Sequence, residues 1–273
     1  MKVVLFCGGL GTRIREFSET MPKPMIPVGQ QPILWHLMKY YSNQGHNDFV
    51  LCLGYKANTI KDFFLNWRHA SFADCVVSDA GHKVEIIGDL PADWRITLVD
   101  SGIWRNIGER LSAVRSHVEN EDMFLANYSD GLSDVPIQAM IDRLEKSGKT
   151  ACFLAVRPPL TFHLVEFDGD GQVQRLRASA DAEIWINAGF FVFRKRIFDY
   201  MKPGEELVNE PFRRLIADGE LIAYRHTGFF RPMDTLRDRQ VLEEMAERGD
   251  MPWMSVANPP AAAGEPTQLK RAV

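Results

Sequence analysis

Val3-Val4-Leu5-Phe6-Cys7-Gly8-Gly9-Leu10-Gly11-Thr12-Arg13 stands at the head of the chain and decides its fold. Five consecutive apolar residues stopped by two glycines read as a short strand covered on both faces, as at the centre of a parallel sheet. Glycines after such a strand let the backbone bend sharply and present N–H groups to an anion with no Cβ in the way. The spacing is neither G-x-G-x-x-G nor GxxxxGK[ST], so neither the dinucleotide fingerprint nor the phosphate loop applies. Arg13 is then the only cation inside the loop, and a guanidinium suits a phosphate chain through two parallel hydrogen bonds. On these residues alone, a plain glycine-rich strand–helix turn and a phosphate site remain open alternatives.

Outward from that strand, apolar strands alternate with amphipathic helices. Ile33 to Tyr41 has helical spacing with Gly45 as its stop, Phe49 to Leu53 is a second strand, and Ala57 to Trp67 is helical again. Ile96 to Val99 and Met123 to Ala126 read as further strands, with a helix over Arg110 to Val118 between them. This alternation predicts an α/β fold with a mainly parallel sheet covered by helices on both faces. The second half is richer in β structure. Ala151 to Val156, Leu164 to Phe167, Val173 to Leu176 and Trp185 to Phe193 read as strands, and Asp168-Gly169-Asp170-Gly171 as a hairpin turn. Leu207 to Ala217 and Leu236 to Ala246 read as closing helices. The segment 254–273, rich in Pro and Ala from Val256 on, has little to bury and is expected to be disordered.

The chain has 273 residues, 45 % of them hydrophobic and 25 % charged, with 32 Lys+Arg against 36 Asp+Glu, a net charge of −4. That balance gives no bulk attraction to polyanions, so neither a nucleic acid nor a membrane is expected as partner. Any bound anion must sit in a local basic site. Cys7, Cys52, Cys75 and Cys152 form no CxxC pair and have no histidine at metal spacing. No secretory h-region and no membrane-spanning stretch is visible, and a cytoplasmic location is expected.

Met21-Pro22-Lys23-Pro24-Met25 is a second informative segment. Prolines on both sides of Lys23 fix φ and are expected to keep the segment extended, which reduces the freedom lost when the lysine meets a phosphate. Two carboxylates complete the picture. Asp130 follows an apolar strand and precedes Gly131, at the strand end where open α/β sheets bind ligands. Asp234, in Pro232-Met233-Asp234-Thr235, sits before the last helical pattern, where a plain N-cap is the alternative.

GGLGTR, then PKPM, then Pro32-Ile33-Leu34 at a helix start, resembles the sugar-1-phosphate nucleotidyltransferases, and within them the glucose-1-phosphate cytidylyltransferases. Pro32 to Tyr55, Tyr128 to Val135, Trp185 to Phe193 and Gly228 to Met245 carry the same resemblance, which runs to about Trp253. It implies a Rossmann-like domain over 1–253, with a nucleotide-binding half (1–135) and an acceptor-binding half (136–253). It also implies that CTP and a phosphorylated small-molecule acceptor are joined to a CDP-sugar with release of pyrophosphate, and that the protein is a homo-oligomer. By the resemblance, Phe6, Gly8, Gly9, Gly11, Thr12, Arg13, Lys23, Arg110, Tyr128 and Ser129 face the nucleotide. Arg13, Lys23 and Asp130 are catalytic, and Asp130 and Asp234 hold one Mg²⁺. Replacing Lys23, read as an exposed phosphate ligand, is expected to lower turnover far more than stability.

The acceptor half departs from the family pattern. A Glu-Lys pair usually precedes the Asn-Gly-Gly stretch, with the lysine on the sugar phosphate and the glutamate on sugar hydroxyls. Counted back from Asn187, the corresponding residues are Arg177-Ala178, and no lysine lies between Lys149 and Lys195. Arg177 is the candidate replacement for the charge, and Glu183 or Glu166 for the glutamate, beside Asn187 and Gly189 as acceptor contacts. An acceptor other than glucose 1-phosphate is therefore kept open. Two other readings carry less. An NAD(P)-dependent oxidoreductase needs glycine where Ile14 stands. A non-catalytic sugar-nucleotide binder would lack Arg13, Lys23, Asp130 or Asp234, and all four are present.

Overall fold

Alternate residues of the first strand, β1 (Lys2–Phe6), are buried in two different cores. Val3 and Leu5 join one and Val4 and Phe6 the other, which is why the strand reads as an unbroken apolar run. The computed structural model describes residues 1–9, 11, 14, 17, 19–66, 74–87, 93–158, 163–178 and 183–256. In it β1 pairs in parallel with β4 (Asp48–Leu53) and β8 (Met123–Asn127), and β4 in parallel with β7 (Arg95–Asp100). On the other side β8 pairs with β13 (Ile186–Arg194), which runs antiparallel to both β8 and β10 (Ala151–Val156). An edge strand, β14 (Leu221–His226), lies parallel to β10. The seven-stranded sheet thus has the order β14-β10-β13-β8-β1-β4-β7.

Helices cover both faces. α1 (Ile33–Asn43), α2 (Ala57–Leu65) and α5 (Ile137–Ser147) supply Leu34, Leu37, Ile60, Met140 and Leu144 to the core beneath Val3 and Leu5. α3 (Ile107–Ala113), α4 (Arg115–Val118) and α6 (Glu210–Ala217) supply Leu111, Val118, Phe212 and Leu215 to the other. The helix expected over Arg110 to Val118 starts earlier, at an Asn106/Glu109 capping box, and is divided at Val114. The last helix, α7 (Leu236–Glu247), is capped by Thr235 with Asp238. The Asp168 turn joins β11 (His163–Phe167) to β12 (Val173–Ala178) as an antiparallel hairpin, with Gly171 at φ +82°. The expected end of α2 at Trp67, and residues 257–273 of the tail, lie outside the described residues. Among the described residues no helix is long and apolar enough to cross a membrane.

Past α7 the chain returns to α1. Trp253 is fully buried, and its indole N–H donates to His36 Nδ1 (3.2 Å), while His36 Nε2 bonds the Val28 carbonyl (2.8 Å). Both bonds are satisfied by one neutral tautomer, and burial lowers the His36 pKa further. His46 is also buried, and its Nδ1 has no hydrogen-bond partner among the described residues. Burial, helped by the N-terminal ammonium, pushes its pKa down from 6.5 to about 4. The unfolded chain therefore takes up protons below pH 6.5 that the folded His46 refuses until about pH 4. Stability is expected to fall on acidification through that window, by up to about 1.4 kcal/mol per pH unit for each such histidine. Urea unfolding at pH 7 and pH 5 checks this, and His46→Gln is expected to flatten the dependence.

Candidate active site

The two candidate carboxylates are brought together by a small two-stranded ladder at the carboxyl end of the main sheet. β9 (Gly131–Ser133) pairs antiparallel with β15 (Phe230–Pro232), with Gly131 opposite Pro232. Asp130 immediately precedes one strand and Asp234 lies two positions past the other, and the Met233 N–H between them donates to the Asp130 carbonyl (2.7 Å). Because Thr235 caps α7, Asp234 is not needed as the cap. Upstream, Ser129 sits at φ +63°, a left-handed conformation costly for a residue with a Cβ. Two bonds hold it there: its N–H donates to Asn127 Oδ1 (2.8 Å) and its hydroxyl to the Phe6 carbonyl (2.7 Å). Ser129 is buried and its donor committed, so it aims the chain into Asp130. Ser129 still lines the cavity, as expected of a residue facing the nucleotide, while its hydroxyl proton is committed to the Phe6 carbonyl.

Lys23 lies between the two acids. Its Nζ donates to Asp130 Oδ2 (2.8 Å) and Asp234 Oδ1 (2.6 Å). Pro22 is extended, but Lys23–Met25 forms a 3₁₀ turn, tighter than the extended segment the prolines predict. The lysine side chain is only 12 % exposed. Burial alone would lower its pKa, and the two carboxylates outweigh burial and raise it above the ordinary value. The ammonium is therefore part of a half-buried charge cluster. The expectation of an exposed lysine with little bearing on stability is corrected, because removing it leaves two neighbouring carboxylates uncompensated. Both acids put an oxygen within hydrogen-bond distance of one cationic centre. Such an oxygen-only donor pair fits a hard divalent cation that completes its shell with water and phosphate oxygens. Among the described residues no group of three or more His, Cys, Asp or Glu could hold a metal ion, so the two aspartates are the acidic ligands the described site offers.

These groups line a cavity of about 340 Å³. Phe6, Gly9 and Gly11 form one wall, with Gly11 at φ +65°, and Tyr128, Ser129 and Asp130 another. Pro24 and Ile107 also line it and were not singled out in the sequence.

Arg110 lies beneath the glycine turn rather than at the cavity. It is 2 % exposed, and its guanidinium donates to the carbonyls of Gly8 (2.9 Å), Leu53 (3.2 Å), Gly102 (2.9 Å) and Ile103 (3.1 Å) and to Ser101 Oγ (2.7 Å). With its donors directed at the backbone, Arg110 is a positioning residue that ties the ends of β1, β4 and β7 together. The expectation that it contacts the nucleotide is corrected on that ground. Gly8 is required by the same packing, since a Cβ there would lie 2.0 Å from Arg110 Nη1.

The other expected site residues are dispersed. Thr12 and Arg13 lie outside the described residues, as do residues 159–162 of the Pro158 to His163 stretch. Arg177 sits on the β11–β12 hairpin and pairs with Glu166 across it (3.0 Å). Its charge is thus matched locally, and it is not among the residues lining the cavity. Glu183 is exposed and likewise outside the lining. Asn187 hydrogen-bonds the Tyr128 side chain and accepts from the Gly189 N–H (2.9 Å), so it borders the cavity through Tyr128. Gly189, at φ +77°, leaves room for the Tyr128 ring, whose Cδ2 would be 2.4 Å from a Cβ. It seats that ring and is buried from any acceptor.

A family model described as nucleotidyl transferase matches residues 2–227. The chain belongs to the nucleotidyl transferase family. Glucose-1-phosphate cytidylyltransferase of Salmonella typhi is 39 % identical over 93 % of this chain and 98 % of its own length. Probable glucose-1-phosphate cytidylyltransferase of Bacillus subtilis (strain 168) is 34 % identical over 93 % and 99 %. Among solved structures, UDP-glucose pyrophosphorylase complexed with UDP-glucose superposes with a TM-score of 0.64 at 15 % identity, covering 91 % of this chain and 98 % of that one. HddC from Yersinia pseudotuberculosis complexed with GMP-PN gives 0.63 at 19 % identity, covering 90 % and 99 %. These two share the fold, a mixed, mostly parallel sheet between helical layers, as the sequence led us to expect.

Gly8→Ala is expected to displace the Arg110 guanidinium and cost about 1–3 kcal/mol, the usual penalty of overpacking. Gly9→Ala, where a Cβ would meet nothing within 4 Å, is expected to stay within about 0.5 kcal/mol of wild type. Denaturant unfolding of the two variants side by side measures the difference.

Proposed function

We propose that this nucleotidyl transferase joins CTP to a sugar 1-phosphate, giving a CDP-sugar and pyrophosphate. The observation that carries the reading is Lys23 held between Asp130 and Asp234 at a cavity walled by the glycine turn. The choice of CTP and glucose 1-phosphate is supported by the names of relatives 39 % and 34 % identical over nearly their whole length.

In the proposed step a phosphate oxygen of the acceptor attacks the α-phosphorus of CTP. The new P–O bond forms as the bond to the bridging oxygen of the β-phosphate breaks, and pyrophosphate leaves with the electron pair. Such a displacement asks the protein for alignment and for neutralisation of charge, with little proton transfer. The backbone of the glycine turn, made rigid from below by Arg110, supports the triphosphate. Lys23, kept protonated by its carboxylate neighbours, supplies positive charge next to the reacting phosphate. Asp130 and Asp234 would hold a divalent ion, Mg²⁺ in this proposal, which when bound offsets phosphate charge and polarises a phosphoryl oxygen. Tyr128, packed against Phe6 and Phe191, lines the same cavity.

Pyrophosphate release from CTP, UTP, GTP and ATP, each paired with a panel of phosphorylated acceptors, tests the reading. Turnover is expected to be highest with CTP and a sugar 1-phosphate, and preference for another nucleotide overturns the assignment of the base. Lys23→Ala is expected to lower kcat by about 10²–10³-fold, the loss typical of one preorganised charge on a developing oxyanion. Asp130→Asn is expected to raise the Mg²⁺ concentration needed for half-maximal turnover, and an unchanged Mg²⁺ dependence removes Asp130 from the metal site.

A further inference from the structure

The ladder that carries the two aspartates is short. Phe230 pairs with Ser133, Arg231 with Leu132 and Pro232 with Gly131, and among the described residues neither strand belongs to a larger sheet. A two-stranded ribbon of that length is marginal in water by itself, so its ends have to be held from outside. At the end nearest the cavity the Met233 N–H bonds the Asp130 carbonyl and Lys23 bridges the two carboxylates. At the opposite end stands a third acid with a partner of its own. His226, the last residue of β14, places Nε2 2.5 Å from Asp134 Oδ1, and the two side chains are 13 % and 32 % exposed. A carboxylate oxygen accepts, so the ring nitrogen donates.

The surroundings are shaped to this contact. The Asp134 N–H donates to the Phe229 carbonyl (3.2 Å), and the Ser133 hydroxyl donates to the same oxygen (2.9 Å). Glycine at 228 leaves room for the pair, since a Cβ there would lie 2.6 Å from Asp134 Oδ1 and 2.7 Å from His226 Nε2. The next carbonyl, that of Val135, accepts from the buried Tyr40 hydroxyl of α1 (2.6 Å). His226 is fixed in turn, because β14 runs parallel to β10 from Leu221 to His226, which lies opposite Val156. The histidine and the aspartate thus tie the ribbon to the edge of the seven-stranded sheet. Neither is among the described residues that line the cavity.

Asp130 and Asp234 stand at one end of the ribbon on the continuations of its two strands, so fraying or tilting of either strand changes their separation. Two carboxylates repel, and the repulsion grows whenever Lys23 turns from them to a phosphate. A small hard cation, by contrast, needs its oxygen ligands in nearly fixed positions. We infer that His226 and Asp134 are positioning residues: by pinning the far end of the ribbon they hold Asp130 and Asp234 at the spacing at which both reach one divalent cation. The inference rests on the metal role proposed for those two acids and extends it to a pair outside the cavity.

The test is calorimetric titration with CTP, without acceptor, in the absence and presence of Mg²⁺, and reads the gain in affinity that the ion confers. Wild type is expected to show a gain and D130N/D234N none. H226A is expected to cut the gain about tenfold, as loss of an outer support of metal ligands does, with the metal-free affinity for CTP unchanged. H226Q, whose side-chain amide can still donate, is expected to restore most of it. D134N keeps the shape and replaces a charge-assisted bond by a weaker neutral one, so a cut of about threefold is expected. It also serves as the comparison if H226A does not fold. A wild-type gain in H226A or D134N, H226Q as impaired as H226A, or an equal loss of metal-free affinity overturns the inference and leaves the metal role of the aspartates standing. A gain that D130N/D234N retains, or its absence in wild type, removes that metal role and the inference with it.

Discussion

The contact on which the site depends is an ammonium shared by two carboxylates. Lys23, Asp130 and Asp234 come from three remote parts of the chain, 107 and 211 positions apart counted from the lysine. None of them is fully exposed, and each charge taken from water must be compensated nearby. The neutralisation works only if the 3₁₀ turn at Lys23, the strained step at Ser129 and the β9–β15 ladder are all in place. Folding of the outer segments is thereby coupled to assembly of the centre, and two acids that would repel one another are kept a short distance apart.

Arg110 does for the shape of the site what Lys23 does for its charge. Strand ends at the carboxyl edge of a parallel sheet leave carbonyls pointing past the last ladder bond, and buried carbonyls need donors. One guanidinium satisfies those of Gly8, Leu53, Gly102 and Ile103. The glycine turn is thus held by the core beneath it, and its outer surface is left for a ligand. Gly8 has no side chain because the guanidinium fills that space.

Much of this was legible in the sequence. The run Val3 to Cys7 announces a central strand, and glycine turn, proline-flanked lysine and strand-end aspartate each carry a local signal. What stayed hidden depends on partners distant in sequence. Leu221 to His226 has no alternation strong enough to mark an edge strand, and becomes one because β10 offers it a parallel ladder. α5 went unmarked although Ile137, Met140, Ile141 and Leu144 are spaced as a helix requires. Spacing also gave no sign that Arg110 is buried, since a helix-start arginine reads the same whether it meets solvent or carbonyls. The replacement for the missing lysine was sought next to the gap in the motif, at Arg177, but its partner Glu166 across the β11–β12 hairpin was not legible from spacing.

The bond between Trp253 and His36 has a consequence for where this protein ends as a cooperative unit. The indole packs toward Phe229, the residue just before β15, and the Met254 carbonyl accepts from Asn43 on α1. A chain cut just after α7 would lose this plug, uncovering an imidazole nitrogen and an aromatic pocket directly behind the loop that leads to Asp234. The cooperative unit therefore extends at least to a tryptophan several residues past the last regular helix.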